Sequence, residues 1–222
     1  MYAVLESANI STTGGRGLHI LSRLAHDGFL CFAAREGKQP TFALLDEWVP
    51  GAKRLEREEA LAEIAKRYFT SHGPATLQDF VWWSGLPAAE ARTALSLAQP
   101  RLAQDLIEGQ TYWLSPSTTI PKKSLPDVYL LPPYDEYAVA YRDRSAILDP
   151  AYTRRLHTGN GIFSPIIVIK GQVAGTWKRE IKRDGVEISL SPFTTFSKSE
   201  TRAIRSAADR YGEFLGSPVR VR

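Results

Sequence analysis

The chain has 222 residues, 43% of them hydrophobic, and carries 28 Lys and Arg against 24 Asp and Glu, a net charge of +4. A chain of this length buries roughly 70% of its unfolded surface, enough for one or two domains with their own cores. One cysteine, Cys31, excludes an intrachain disulfide and a cysteine-rich zinc site; four scattered histidines (His19, His26, His72, His157) show no metal-ligand spacing, and no apolar run approaches the ~20 residues of a membrane span. The first residues lack the basic and apolar regions of a secretory signal, so a cytoplasmic setting is expected, with no membrane partner, metal or cofactor. Residues 1–118 hold 11 Lys and Arg against 13 Asp and Glu, whereas residues 119–222 hold 17 against 11. Any long-range pull on a polyanion is therefore expected from the second half.

In chain order, Ile10 to Gly28 reads as a helix capped at Ser11, Thr12 or Thr13, with Leu18, Leu21, Leu24 and Ala25 as its apolar face. Phe29–Ala34 reads as a strand, Arg35–Pro40 as a turn, and Thr41–Leu45 as the returning strand. A helix followed by a hairpin with a basic tip is the second half of a winged helix, and only nine residues precede it. The arrangement then recurs in full. A helix from Glu56 to His72 ends at Gly73-Pro74, Thr76 caps Leu77–Ser84, Gly85 turns the chain, and Pro87 suits the first position of the helix Ala88–Ala98. Arg101–Ile107 and Gln110–Leu114 form a hairpin on the turn Glu108-Gly109. Helix, helix, turn, helix, hairpin is the winged-helix order.

Ser115 to Pro126, with three prolines and Lys122-Lys123, reads as a linker. Beyond it lie a strand at Val128–Leu131, a short helix at Pro150–Leu156, and strands Ile162–Ile169 and Gln172–Arg179 joined at Lys170-Gly171. A turn at Asp184-Gly185 leads to Val186–Leu190. Ser197 and Glu200 form a capping box for a helix to about Leu215, and Val219–Arg222 alternates like an edge strand. The expected fold class is α+β: tandem winged-helix modules, then a small β-barrel-like domain or strongly curved sheet with a covering C-terminal helix. The expected domains are 1–50, a partial winged helix with recognition helix and wing; 51–118, a winged helix; and 119–222, the basic β domain.

Four separated segments, Gly37–Trp48 (GKQPTFALLDEW), Gly73–Gly85 (GPATLQDFVWWSG), Leu130–Tyr137 (LLPPYDEY) and Val173–Trp177 (VAGTW), resemble the winged-helix DNA glycosylase family. Members of that family unhook alkylation crosslinks and confer resistance to azinomycin. The resemblance runs from about Leu5 to the C-terminus. It implies tandem winged helices scaffolded by a β-barrel in a C shape around double-stranded DNA, and cleavage of N-glycosidic bonds at alkylated purines. In the family that chemistry rests on a Gln-x-Gln or Gln-x-Asp motif. Here Gln39, Gln78, Gln99, Gln104, Gln110 and Gln172 are followed at the second position by Thr, Phe, Arg, Leu, Tyr and Ala. No catalytic residue is therefore carried over, and the chain is expected to be an N-terminally truncated, DNA-binding member that begins inside the second winged helix.

A docked helix meets DNA with polar side chains, Arg being best suited to bidentate contacts, so Arg16, His19 and Arg23 are candidates on the first helix. Gly14, Gly15 and Gly17 beside them would open backbone N–H groups to a phosphate. Arg35 and Lys38 bracket the first hairpin tip, and Lys178, Arg179, Lys182 and Arg183 flank the turn after Trp177, a protruding basic hairpin suited to backbone or minor-groove contact. The second module offers only Arg92, beside Glu90, and reads as mainly structural, with Trp82-Trp83 and Cys31 as core. Asp135 and Glu136 are the acidic pair that could stabilise a cationic sugar or activate water; the alternative is capping, or pairing with Arg142 or Arg144. Two other functional readings stand beside a DNA-binding member without its catalytic part. One is a working, nucleoid-associated glycosylase completed by a part supplied elsewhere; the other is a regulator that uses winged helices for protein contacts.

Overall fold

The computed structural model describes residues 2–119, 126–157 and 162–222; Lys122 and Lys123 of the linker reading lie outside them. The chain forms two compact units, Met1–Glu56 and Arg57–Arg222. It is an α+β protein.

The first unit contains helix α1 (Tyr2–Ser7), helix α2 (Arg16–His26), strands β1 (Leu30–Phe32) and β2 (Phe42–Leu44), and the single turn α3 (Leu45–Trp48). The α2 helix starts later than the caps at Ser11–Thr13 imply. Gly14 and Gly15 both have positive φ, 60° and 82°, a conformation that breaks a right-handed helix and costs glycine nothing. Thr12 instead ties back to α1, donating through its N–H (2.7 Å) and hydroxyl (2.5 Å) to the Glu6 carboxylate. The buried face is also rotated from the one expected: Gly17 and Leu21 are buried, Ile20 and Leu24 are half-buried, and Leu18 is 59% exposed. Gly17 sits under the Tyr2 ring, where a Cβ would come within 2.7 Å of Cζ.

The β1 and β2 strands pair antiparallel, Leu30 opposite Leu44 and Phe32 opposite Phe42. Leu45 leaves the strand to start α3, one residue earlier than expected. Because the sheet has two strands only, Cys31 is half-buried rather than core.

The second unit begins with α4 (Arg57–His72), α5 (Leu77–Ser84) and α6 (Ala88–Ala98), then the hairpin β3 (Ala103–Ile107) and β4 (Gln110–Leu114). Pro87 occupies the N-cap of α6 and not its first turn. Arg101, expected to open the first strand of the hairpin, instead ends a 3-10 turn Gln99–Arg101, and β3 starts at Ala103. Glu108 and Gly109 both have positive φ, the geometry of a type I′ hairpin. Ala65, Ala91, Ala94 and Ala98 let α4 and α6 approach closely around Tyr68, Phe69 and Phe80. Gly73 permits β4 to cross the end of α4: a Cβ there would lie 2.7 Å from the Leu114 Cα and 2.8 Å from the Trp113 carbonyl oxygen. Trp83 packs partly buried against this core, but Trp82, expected inside, is 54% exposed and donates its indole N–H to the Val139 carbonyl (2.9 Å).

The remaining strands, β5 (Val128–Leu131), β6 (Ile166–Ile169), β7 (Gln172–Lys182), β8 (Gly185–Pro192) and β9 (Val219–Val221), form one sheet in sequence order. The first four pair antiparallel and β9 joins β8 in parallel. A register shift between Ile167 and Val168 leaves Ala174 as an extra residue that bends β7, and helix α8 (Lys198–Leu215) packs on both β5 and β9, so the sheet curls round the helix. All four β6 side chains are buried because both faces are covered. Ile167 and Ile169 face α8 with Trp177, Ile188 and Ile204, while Ile166 and Val168 meet Leu148, Leu156 and Phe163. The short helix α7 (Glu136–Val139) and the 3-10 turn Pro150–Leu156 complete that second layer. The β7–β8 turn is Arg183-Asp184, one residue earlier than expected, since Gly185 pairs with Lys182.

Candidate nucleic-acid interface

Arg16, His19 and Arg23 lie three and four residues apart on α2 and are all exposed, so they share the face away from Gly17 and Leu21. Arg23 is not free on that face. Its Nε donates to Asp27 Oδ2 at 2.7 Å, which offsets its charge. Of the backbone donors beside these glycines, the Arg16 and Gly17 N–H groups are already bonded, to the Thr13 and Thr12 carbonyls (3.1 and 3.2 Å).

The β1–β2 hairpin closes on Gly37-Lys38. Glu36 and Gln39 exchange both backbone hydrogen bonds (3.1 and 3.0 Å), and positive φ at Gly37 suits the first position of a type II′ turn. This geometry sets Lys38 at the tip and Arg35 just behind it, both exposed and without a carboxylate partner among the described residues.

In the second unit, Arg92 is exposed on α6, and Glu90 beside it pairs with Arg57 of α4 at 2.7 Å. The β7–β8 hairpin divides its four cations. Lys178 and Lys182 point to one face of β7 and Arg179 to the other, as alternation requires. Arg179 packs over the Tyr211 ring of α8, 5.7 Å from its centre, and donates to its hydroxyl. Lys182 pairs with Glu180. Lys178 and the turn residue Arg183 are exposed and make no ion pair among the described residues.

Asp135 and Glu136 have separate partners. Asp135 caps α7, accepting the Tyr137 N–H at 2.9 Å. Glu136 Oε2 accepts the Trp83 indole N–H and pairs with His72 Nε2, each at 3.0 Å. Its partners are therefore His72 and Trp83 and not Arg142 or Arg144, which bind Gln78 and the Ala138 carbonyl.

The same segment is pinned at further points. Tyr68 donates to the Ala140 carbonyl (3.1 Å) and Tyr141 to the His72 carbonyl (2.8 Å). Buried Asp79 accepts the Arg142 N–H at 2.9 Å. A cavity of about 230 Å³ beside this network is lined by His72, Thr76, Asp79, Tyr112, Tyr137 and Tyr141. Burial raises the pKa of Tyr137 and Tyr141, which keeps both as neutral donors. With its hydrogen bonds already made, the cluster acts as a clamp; the Ser71 hydroxyl lies 2.8 Å from His72 Nδ1 and is itself bonded to the Arg67 carbonyl at 2.8 Å. Among the described residues no group of three or more His, Cys, Asp or Glu is placed to hold a metal ion, and no helix is long and apolar enough to cross a membrane.

Sequence reasoning missed the contacts of Asp79 with Arg142 and Asp143, which lie far along the chain, and Phe214 of α8, which is 83% exposed.

The order of elements and the four separated motifs now meet a match of family. A model of AlkZ-like DNA glycosylases matches residues 3–214, and the chain belongs to this family. Among curated proteins it is similar to the interstrand DNA cross-link repair glycosylase of Streptomyces sahachiroi, 27% identical over 226 aligned positions that cover 91% of this chain and 57% of that protein. Among solved structures the Streptomyces sahachiroi DNA glycosylase AlkZ has the same fold over 98% of this chain and 61% of its own, with a TM-score of 0.76 at 24% identity. The chain thus spans less than two thirds of the length of these relatives.

Proposed function

We propose that this chain is the DNA-engaging part of an AlkZ-like glycosylase that works on alkylated or crosslinked bases in duplex DNA. Residues 1–50 and 51–118 are read as winged-helix modules, the first partial, and 119–222 as the basic β domain. The observation that carries the reading is local to the first unit. An exposed helix face bearing Arg16, His19 and Arg23 leads directly into a hairpin whose tip presents Arg35 and Lys38. A recognition helix followed by a basic wing needs these parts in this order. Lys178, Lys182 and Arg183 add cations on the β7–β8 hairpin, with Arg179 anchored at its base. No residue of the chain is assigned to bond cleavage. Asp135 is held as a helix cap, and Glu136 by the clamp.

The test is a salt titration of binding to a labelled duplex. Each phosphate neutralised contributes a slope of about −0.9 in log affinity against log salt, so a steep negative slope is expected. Arg35→Glu combined with Lys38→Glu should weaken binding to every sequence and flatten that slope by about 2. A slope near zero in the unaltered protein would refute a DNA partner. Unchanged binding in the double variant would remove this hairpin from the interface.

A further inference from the structure

Beside the base of the β7–β8 hairpin lies a groove of about 600 Å³, walled by Pro132 and Pro133, floored by Trp177 and Tyr211, and edged by Phe214. Its volume falls in the range of small-molecule sites, roughly 300–1,000 Å³. Trp177 and Tyr211 meet edge to face at 5.5 Å, and the Trp177 indole N–H is already bound to the Leu131 carbonyl at 2.9 Å. The floor therefore asks for a flat, apolar occupant and has no indole donor left to offer. Phe214 projects from α8 as an unpaired aromatic face, 83% exposed. The charged lining residues are both cations, Lys178 and Arg179, and no carboxylate among the described residues lines the groove. Two of the motifs that carry the family resemblance supply lining residues, Leu130, Pro132 and Pro133 from LLPPYDEY and Trp177 from VAGTW.

We propose that this groove takes a single unpaired nucleotide of the bound DNA, its base stacked on Phe214 and its phosphate against Arg179. An aromatic face beside cations that track a backbone is the recurring device for holding unpaired nucleotides, and it tolerates any base because every base has a π face. The duplex tracks the exposed cations at the hairpin tip, while the groove at its base holds what has left the stack. The inference rests on the DNA-binding reading above and specifies a nucleotide site within it.

Two labelled duplexes of equal length separate the two readings, one flush and one carrying a single unpaired thymidine, titrated by fluorescence anisotropy at fixed salt. The full chain should prefer the bulged duplex. Phe214→Ala should lower affinity for that duplex roughly tenfold, leave the flush duplex unchanged, and be rescued by Phe214→Trp. Since Phe214 is almost fully exposed, its loss spares the core. Equal affinity of the unaltered protein for both duplexes, or a bulge preference that survives Phe214→Ala, overturns the nucleotide site alone. Failure of the unaltered protein to bind the flush duplex overturns the DNA reading, and the site with it.

Discussion

Asp79 shows how much a single side chain can hold. Its Oδ2 accepts from the Thr76 N–H and hydroxyl (3.0 and 2.7 Å), and its Oδ1 accepts the Arg142 and Asp143 N–H groups (2.9 and 3.4 Å). All four neighbours are donors, so only a group with two accepting oxygens fits. Asp79→Asn turns an amide donor toward other donors in a buried place and should cost about 2–3 kcal/mol. For a body of this size that lowers the melting temperature by roughly 5–10 °C. A thermal melt unchanged by the substitution would show that the bonds are not needed. Half of this arrangement was legible in advance. The Thr76 cap stands in the sequence because a helix start leaves donors that a threonine oxygen satisfies within three residues. The other half joins residues more than sixty positions apart, and no local pattern announces it. The same limit explains Glu136, whose partners His72 and Trp83 lie on two other helices.

At the scale of elements, α8 gives the plainest agreement between local chemistry and structure. Ser197 accepts the Glu200 N–H, and the Glu200 carboxylate reaches back to the Ser197 N–H at 2.7 Å. These hydrogen bonds to Ser197, its backbone N–H first and its hydroxyl second, hold the Glu200 carboxyl below its ordinary pKa. A carboxyl whose pKa is depressed on folding stabilises the fold above its unfolded value, and the contribution fades as pH falls through the lowered folded value. Glu200→Gln should therefore melt below the unaltered protein at pH 7, and the gap should close at acid pH. A gap that is constant across that window would assign the effect to shape and not to charge. The α5, α6 and β4 bounds agree with the periodicity and the turn residues, and α4 starts one residue later than expected, at Arg57. The α2 start was misjudged for a physical reason. Three hydroxyl residues offered caps, yet Thr12 is claimed by Glu6 from a helix that sequence reading did not foresee. The β7–β8 cations were found by composition, but their division between two faces depends on strand register, which composition does not contain.

Across the whole molecule, burial is unevenly shared. Gly17, Leu21 and Leu30 are the buried residues described in Met1–Glu56, while Phe29, Phe32, Leu44 and Trp48 stay exposed, Phe32 at 70%. Local stability follows buried apolar contact, so amide hydrogens of α2 should exchange with solvent deuterium well before those of α4 and β6. Equal protection of the three elements in a mass-spectrometric exchange series would show that the small unit draws stability from elsewhere. Residues 57–222 differ in kind. The stretch from Glu136 to Asp143 offers backbone or side-chain partners to Tyr68, His72, Asp79, Trp82 and Trp83. That stretch works like a key cut for the helices above it. Anyone grafting those helices from a relative would have to transplant the key with them. A chimera joined anywhere between would leave two matched halves of a lock in different proteins.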